Sequence, residues 1–148
     1  MNEVVIVSAV RTAIGDLLGA LKDLTCVDLG VIALKSAMEK ANVDPKLIEE
    51  VVCGNPDMAG ARSNPGRQIA VHAGCPWETV ACTINQQCVS SLRAAEILYQ
   101  ELLLGKVEYE LEGTPCAGVL DGSVCHVRDG VADRFPRDEG LRRMGAQS

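Results

Sequence analysis

The sequence predicts an α/β domain of layered α-β-α form with a mostly parallel sheet. Two observations carry that prediction. β-rich apolar runs alternate with helical patterns, in the order strand, helix, strand, helix, strand, helix, from Val4 to Leu104. Such alternation builds parallel sheets covered by helices. Hydrophobic residues make up 47% of the chain and aromatics only 3%, so the core must be filled by Val, Leu, Ile and Ala. The 148 residues suffice for one compact domain with a real core.

Each element has its own local cause. Val4 to Val7 is a continuous β-branched and apolar run, which reads as a strand buried on both faces. A loop with Gly15 and Gly19 follows. Thr25 with Asp28 resembles a capping box, Asp standing for the usual Glu. The helix after it carries Val27, Val31, Leu34, Met38 and Ala41 on one stripe. Asn42 and Pro45 stop it, and Asp44-Pro45 opens a short helical turn. Val51 to Cys53 is a second strand, ended by Gly54. Asn64-Pro65 starts a helix that runs to about Ala73, before Gly74. Thr79 to Ile84 is a third strand. From Cys88 a helix extends to Leu104, with Leu92, Ala95, Tyr99 and Leu102 on one face and Gly105 as a left-handed cap. The pattern then weakens. Val107 to Leu111 fits a short strand, and the last third otherwise reads as loop with at most one short helix. The chain thus divides into βα units over 1–106 and a divergent, loop-rich tail over 107–148.

Composition narrows the function classes. A formal net charge of −6 argues against a nucleic-acid partner. No apolar run approaches the roughly 20 residues needed to cross a bilayer. The N-terminus lacks a basic leader pattern, so no membrane or secretory role is expected and a cytoplasmic setting fits. The seven cysteines are odd in number, irregularly spaced and without a Cys-x-x-Cys pair. That pattern argues against a disulfide framework or metal site and suits a reducing compartment.

The most informative stretch is Thr83-Ile84-Asn85-Gln86-Gln87-Cys88-Val89-Ser90-Ser91-Leu92-Arg93-Ala94. It sets Cys88 between a strand and the first turn of an apolar helix. A helix N-terminus offers backbone N–H groups and a positive dipole end, both of which favour a thiolate nucleophile. The same amides can hold a developing oxyanion. A thioester carbonyl is the natural target. Position alone also allows a plain core cysteine, which is how Cys26, Cys53, Cys75 and Cys82 read.

Four blocks, in order, resemble the thiolase family. They are Val5 to Gly15 with its Arg-Thr-x-x-Gly turn, Asp28-Leu29-Gly30, Asn64-Pro65-Gly66-Arg67-Gln68, and Thr83 to Ala94, which is similar to the family's Asn-x-x-Cys-x-Ser-Gly-Leu-x-Ala. The resemblance implies a partial thiolase-like domain from an acetyl-CoA acetyltransferase or 3-ketoacyl-CoA thiolase. It implies an acyl-CoA substrate, no cofactor beyond that coenzyme A thioester, an S-acyl intermediate on Cys88 and a homo-oligomer if the family interface is kept. It assigns Asn64, Arg67 and Gln68 to support of the catalytic loop, with a surface helix-capping role equally open for Arg67.

Departures from the family also carry expectations. Ser91 replaces a glycine and Val89 a small residue, which is expected to crowd the site. After Lys106 the family's Ala-Gly-Gly strand has no match. The stretch Val127 to Phe135, followed by Met144-Gly145, is faintly similar to a later family segment. This pattern implies an internal deletion around Lys106 to Leu120 that removes a central strand. The family's second half, with its histidine and second cysteine, has no counterpart. Cys116-Ala117-Gly118 spells Cys-x-Gly out of context, and His72 and His126 read as ordinary surface or core residues. The alternative to an acyltransferase is therefore an inactive, truncated paralogue that acts as an interaction module.

Overall fold

The computed structural model describes residues 4–114 and 122–128. The elements in chain order are β1 (Val4–Arg11), α1 (Cys26–Ala41), a 3-10 turn (Pro45–Leu47), β2 (Glu50–Gly54), α2 (Pro65–Ala73), β3 (Val80–Ile84), α3 (Ser90–Leu104), β4 (Tyr109–Thr114) and β5 (Gly122–Arg128). The local signals act as expected. Thr25 Oγ1 accepts from the Asp28 N–H at 3.1 Å, while the Thr25 N–H donates to the Asp28 carboxylate at 2.8 Å. Asn42, Gly74 and Gly105 end their helices in the left-handed conformation, each returning its N–H to the last turn.

One five-stranded sheet runs in the order β1-β5-β4-β2-β3. β2 pairs parallel with both β3 and β4, whereas β5 pairs antiparallel with both β4 and β1. Hence β1, β2, β3 and β4 share one direction and β5 alone is reversed. The mostly parallel α/β sheet is therefore present, and its four like-directed strands bring their C-terminal ends to one rim.

Three local expectations are corrected. The run at Val4 marks an edge strand, not one buried on both faces: Ile6 is 47% exposed. The strand covered on both sides is β2, whose Val51, Val52 and Cys53 are fully buried. The centre of the sheet is not missing, because β4 lies between β2 and β5, and Gly122–Arg128 is a strand where loop was expected.

Alternate residues of β2 define the layers. Val51 and Cys53 join a core with Leu34, Met38, Ile48, Ile69 and Leu111, under α1 and α2. Val52 points to the other side, where it packs with Ala94 and Leu98 of α3. The buried face of α3 is Ser90, Ala94, Leu98 and Leu102. The expected face is thus corrected in part: Leu102 is buried as expected, but Leu92 and Tyr99 point outward. α3 carries apolar residues on two sides, so periodicity alone cannot choose between them.

Candidate active site

Cys88 lies at the C-terminal rim, in the turn that joins β3 to α3. Its position is slightly different from the sequence expectation, because α3 begins at Ser90. The thiol is exposed, in contrast to the buried Cys26, Cys53 and Cys75. Burial pushes the Cys75 thiol up to about 11, and burial followed by the Glu50 charge raises that of Cys82. Both shifts disfavour the thiolate.

The turn is held by its own side chains. Asn85 Oδ1 accepts from the Gln87 N–H at 3.2 Å, and Gln87 adopts a φ of 52°. Ser90 Oγ accepts from the Gln86 N–H at 2.9 Å and donates to the Gln87 carbonyl at 2.6 Å. Asn85 Nδ2 donates to the Pro56 carbonyl at 3.1 Å and so ties the turn to the loop after β2. Gly54 lets α3 sit directly on the end of β2. A Cβ there would lie 2.4 Å from the Ser91 nitrogen. Contact at Ser91 is thus made by its backbone. Val89 is 49% exposed, so the crowding expected at that position does not arise in this chain.

The Asn64 block braces β3 from its open edge. Val80 and Ile84 make their ladder bonds toward β2, through Val80 N–H to Glu49 O and Asn55 N–H to Ile84 O. The alternate carbonyls of Thr79 and Ala81 face the other way, and side chains take both. Arg67 Nη1 donates to Thr79 O, and Asn64 Nδ2 donates to Ala81 O at 3.0 Å. Asn64 Oδ1 also accepts from the Arg67 N–H at 3.2 Å and from Thr83 Oγ1 at 2.9 Å, and that hydroxyl accepts from the Gly66 N–H. Gly66 is needed because a Cβ would lie 2.3 Å from Cys82 O. Arg67 also donates to Trp77 O at 2.7 Å and stacks over that ring at 5.1 Å. Gln68 Nε2 donates to Ala61 O and Ser63 O. The block therefore covers a strand edge and fixes the strand that ends at the Cys88 turn. The sequence signal for it was the Asn-Pro cap, but the carbonyls it serves are set only by strand pairing.

Beside the turn lies an open groove of about 540 Å³, lined by Gln86, Val89, Leu92, Arg93 and Glu96. Arg93 and Glu96 pair at 2.7 Å. A larger groove of about 690 Å³, lined by residues such as Lys35, Glu39 and Asp44, lies at the far end of α1. His72 is exposed on α2, and His126 lies on β5. Cys116, Asp129 to Phe135 and Met144-Gly145 lie outside the described residues. Among the described residues no group of His, Cys, Asp or Glu could hold a metal ion, and no helix is long and apolar enough to cross a membrane.

The sheet order, the exposed thiol between strand and helix, and the braced β3 edge together define an α/β fold with a cysteine at its strand-end rim. The family model for the thiolase N-terminal domain matches residues 4–114. The chain belongs to the thiolase family. It is 40% identical over 113 residues to an acetyl-CoA acetyltransferase of Cupriavidus necator, covering 76% of this chain and 29% of that relative. Among solved structures it is similar to an acetyl-CoA acetyltransferase from Syntrophomonas wolfei, at 41% identity and a TM-score of 0.73, covering 76% of this chain and 28% of the other. It is also similar to a thiolase from Ascaris suum in complex with coenzyme A, at 34% identity and a TM-score of 0.72, covering 74% and 29%. The chain thus spans less than a third of the length of these relatives.

Proposed function

We propose that this chain carries thiolase-type acyl transfer, with Cys88 as the acyl acceptor and an acyl-CoA as the donor. In the half-reaction the Cys88 thiolate attacks the thioester carbonyl. The bond from that carbon to the sulfur of coenzyme A breaks, and coenzyme A leaves as a thiolate that takes up a proton. One observation carries the reading: the exposed Cys88 thiol sits in a turn that Asn85, Ser90 and Gly54 hold against the start of α3. The family membership supports the choice of a coenzyme A thioester as the substrate class. It also supports a homo-oligomer, while the irregular, unpaired cysteine pattern supports a reducing, cytoplasmic setting.

The sequence offers no match for the family's histidine and second cysteine, so we infer that transfer by the chain as given is slow. General acid–base help is worth about 10²- to 10⁴-fold. The test is incubation of the full chain with acetyl-CoA, followed by intact mass. An acetyl adduct that the C88A variant lacks supports the reading. A folded chain that gains no adduct removes it.

The outer face of α3 favours a second reading, an interaction module. Val89, Leu92, Tyr99 and Leu103 follow at steps that place them on one stripe, and Leu92 is 75% exposed. Soluble monomers rarely leave such a stripe uncovered. Analytical ultracentrifugation decides: association weakened by L92S supports the module, and a monomer at all concentrations excludes it.

A further inference from the structure

Ser90 opens α3, yet its side chain reaches back into the turn before the helix. It is buried, at 1% exposure, whereas Gln86, Gln87 and Cys88 are exposed. Two of its donors converge on one oxygen. The Ser90 hydroxyl donates to the Gln87 carbonyl at 2.6 Å, and the Ser90 N–H donates to the same carbonyl at 3.1 Å. The hydroxyl oxygen also accepts from the Gln86 N–H at 2.9 Å. The doubly bonded carbonyl belongs to the Gln87–Cys88 peptide, the one that leads into Cys88.

That peptide is also the one a turn of this kind can flip. Gln86 to Val89 is closed by the Val89 N–H, which donates to Gln86 O at 3.3 Å, so Gln87 and Cys88 are its central residues. Gln87 has a φ of 52°, and Cys88 is not among the residues of positive φ. Positive then negative is the sign pattern of a type II′ turn, whose first central place favours glycine. The I′ form has both signs positive and differs by a half-turn of the central peptide. Gln87 carries a Cβ at the glycine place, so the backbone alone does not favour what is seen. The two Ser90 donors supply the preference. The peptide is trans, so the Cys88 N–H points opposite to the Gln87 carbonyl. With that carbonyl turned in to the buried Ser90, the Cys88 N–H faces the exposed side of the turn, where the thiol lies.

We propose that Ser90 latches the Gln87–Cys88 peptide in one orientation and so aims the Cys88 N–H at the carbonyl oxygen of an acyl group reacting at the Cys88 thiol. Ser90 is a positioning residue and does not touch that group. The catalytic consequence rests on Cys88 as the acyl acceptor, whereas the latch itself does not.

The test uses the full ¹⁵N-labelled chain with two variants. Ser90→Ala removes the hydroxyl and keeps the backbone N–H, and Ser90→Thr restores a hydroxyl. In S90A the Gln86 amide is expected to exchange its hydrogen about three- to tenfold faster. Relaxation dispersion, which senses motions of microseconds to milliseconds, is expected to appear at Cys88 as its peptide flips. S90T is expected to restore both. Single-turnover acetylation of Cys88 at saturating acetyl-CoA should fall about three- to tenfold in S90A, with the half-saturating concentration unchanged. Alkylation by iodoacetamide needs an exposed thiol and no aimed amide, so its rate should hold. Unchanged Gln86 exchange with no dispersion at Cys88 overturns the latch. Acetylation and alkylation that fall together overturn the positioning role. An unaltered chain that takes no acetyl group removes the acyl-transfer reading alone, and exchange and dispersion then decide the latch. If S90A does not fold, the unaltered chain decides: the latch requires the exposed Gln86 amide to exchange well below its free-peptide rate, and exchange at that rate overturns it.

Discussion

The two faces of the sheet are covered unequally. α1 and α2 close one side over a continuous core that reaches from Leu34 to Leu111. Among the described residues α3 alone covers the other, where Val52, Ala94 and Leu98 form the buried cluster. The closed face holds the fold together, and the thinly covered face carries the Cys88 turn. Stability and chemistry are thus set by different layers, joined at β2, β3 and the contact of Gly54 with α3.

Truncations in the two cores should separate these roles. Ile69→Ala removes a fully buried side chain from the closed core and is expected to cost about 3–5 kcal/mol. Leu98→Ala should cost less, about 2–3 kcal/mol, because the thinner layer can collapse into the gap. Chemical denaturation of both variants checks the order, and equal costs would break the contrast. Gly54→Ala acts at the junction. Its Cβ meets backbone at 2.4 Å, so α3 must shift. It should cost about 1–3 kcal/mol and slow Cys88 acylation by more than its loss of stability explains. Thr25→Ala touches only the closed side. It should cost about 1 kcal/mol through the lost cap and leave Cys88 chemistry unchanged.

The smallest expected effects are those of pH. The Asp28 carboxyl is held below its usual value, first by the Thr25 hydroxyl and then by the Thr25 N–H. Its stabilising effect is present above the unfolded value near 3.8 and fades as pH falls through the lower folded value. Glu50 is raised, chiefly by burial and then by Glu101. Its contribution is therefore fully present below the unfolded value near 4.5 and is lost as pH rises through the folded value. Glu50→Gln should gain stability at neutral pH relative to pH 4, seen in melting curves at both. A loss at neutral pH would contradict burial as the main cause.

Much of the closed face was legible in the sequence, because its signals are local. The Thr25–Asp28 box, Asn42, Asn64-Pro65 and Gly74 state where helices begin and end within a few residues of themselves. The Cys88 turn was legible for the same reason, since strand, cysteine and helix follow one another directly. What was hidden depends on pairing at a distance. Val107 to Leu111 read only as a short strand where the pattern weakens, yet β4 lies in mid-sheet between β2 and β5. The Val4 run has the composition of a central strand but ends up at an edge. The inner face of α3 could not be chosen because both sides are apolar. The tasks of Asn64 and Arg67 follow from which β3 carbonyls face away from β2, and only the folded sheet decides that.

The central claim is that Cys88 is the acyl acceptor. Its most direct test is peptide-level mass spectrometry after acetyl-CoA treatment, with a chase by free coenzyme A. The account predicts a thioester-linked acetyl group on the Cys88 peptide that coenzyme A removes, with Cys75 and Cys82 unmodified. An acetyl group spread over several cysteines, or one on Cys88 that coenzyme A cannot take back, would contradict it.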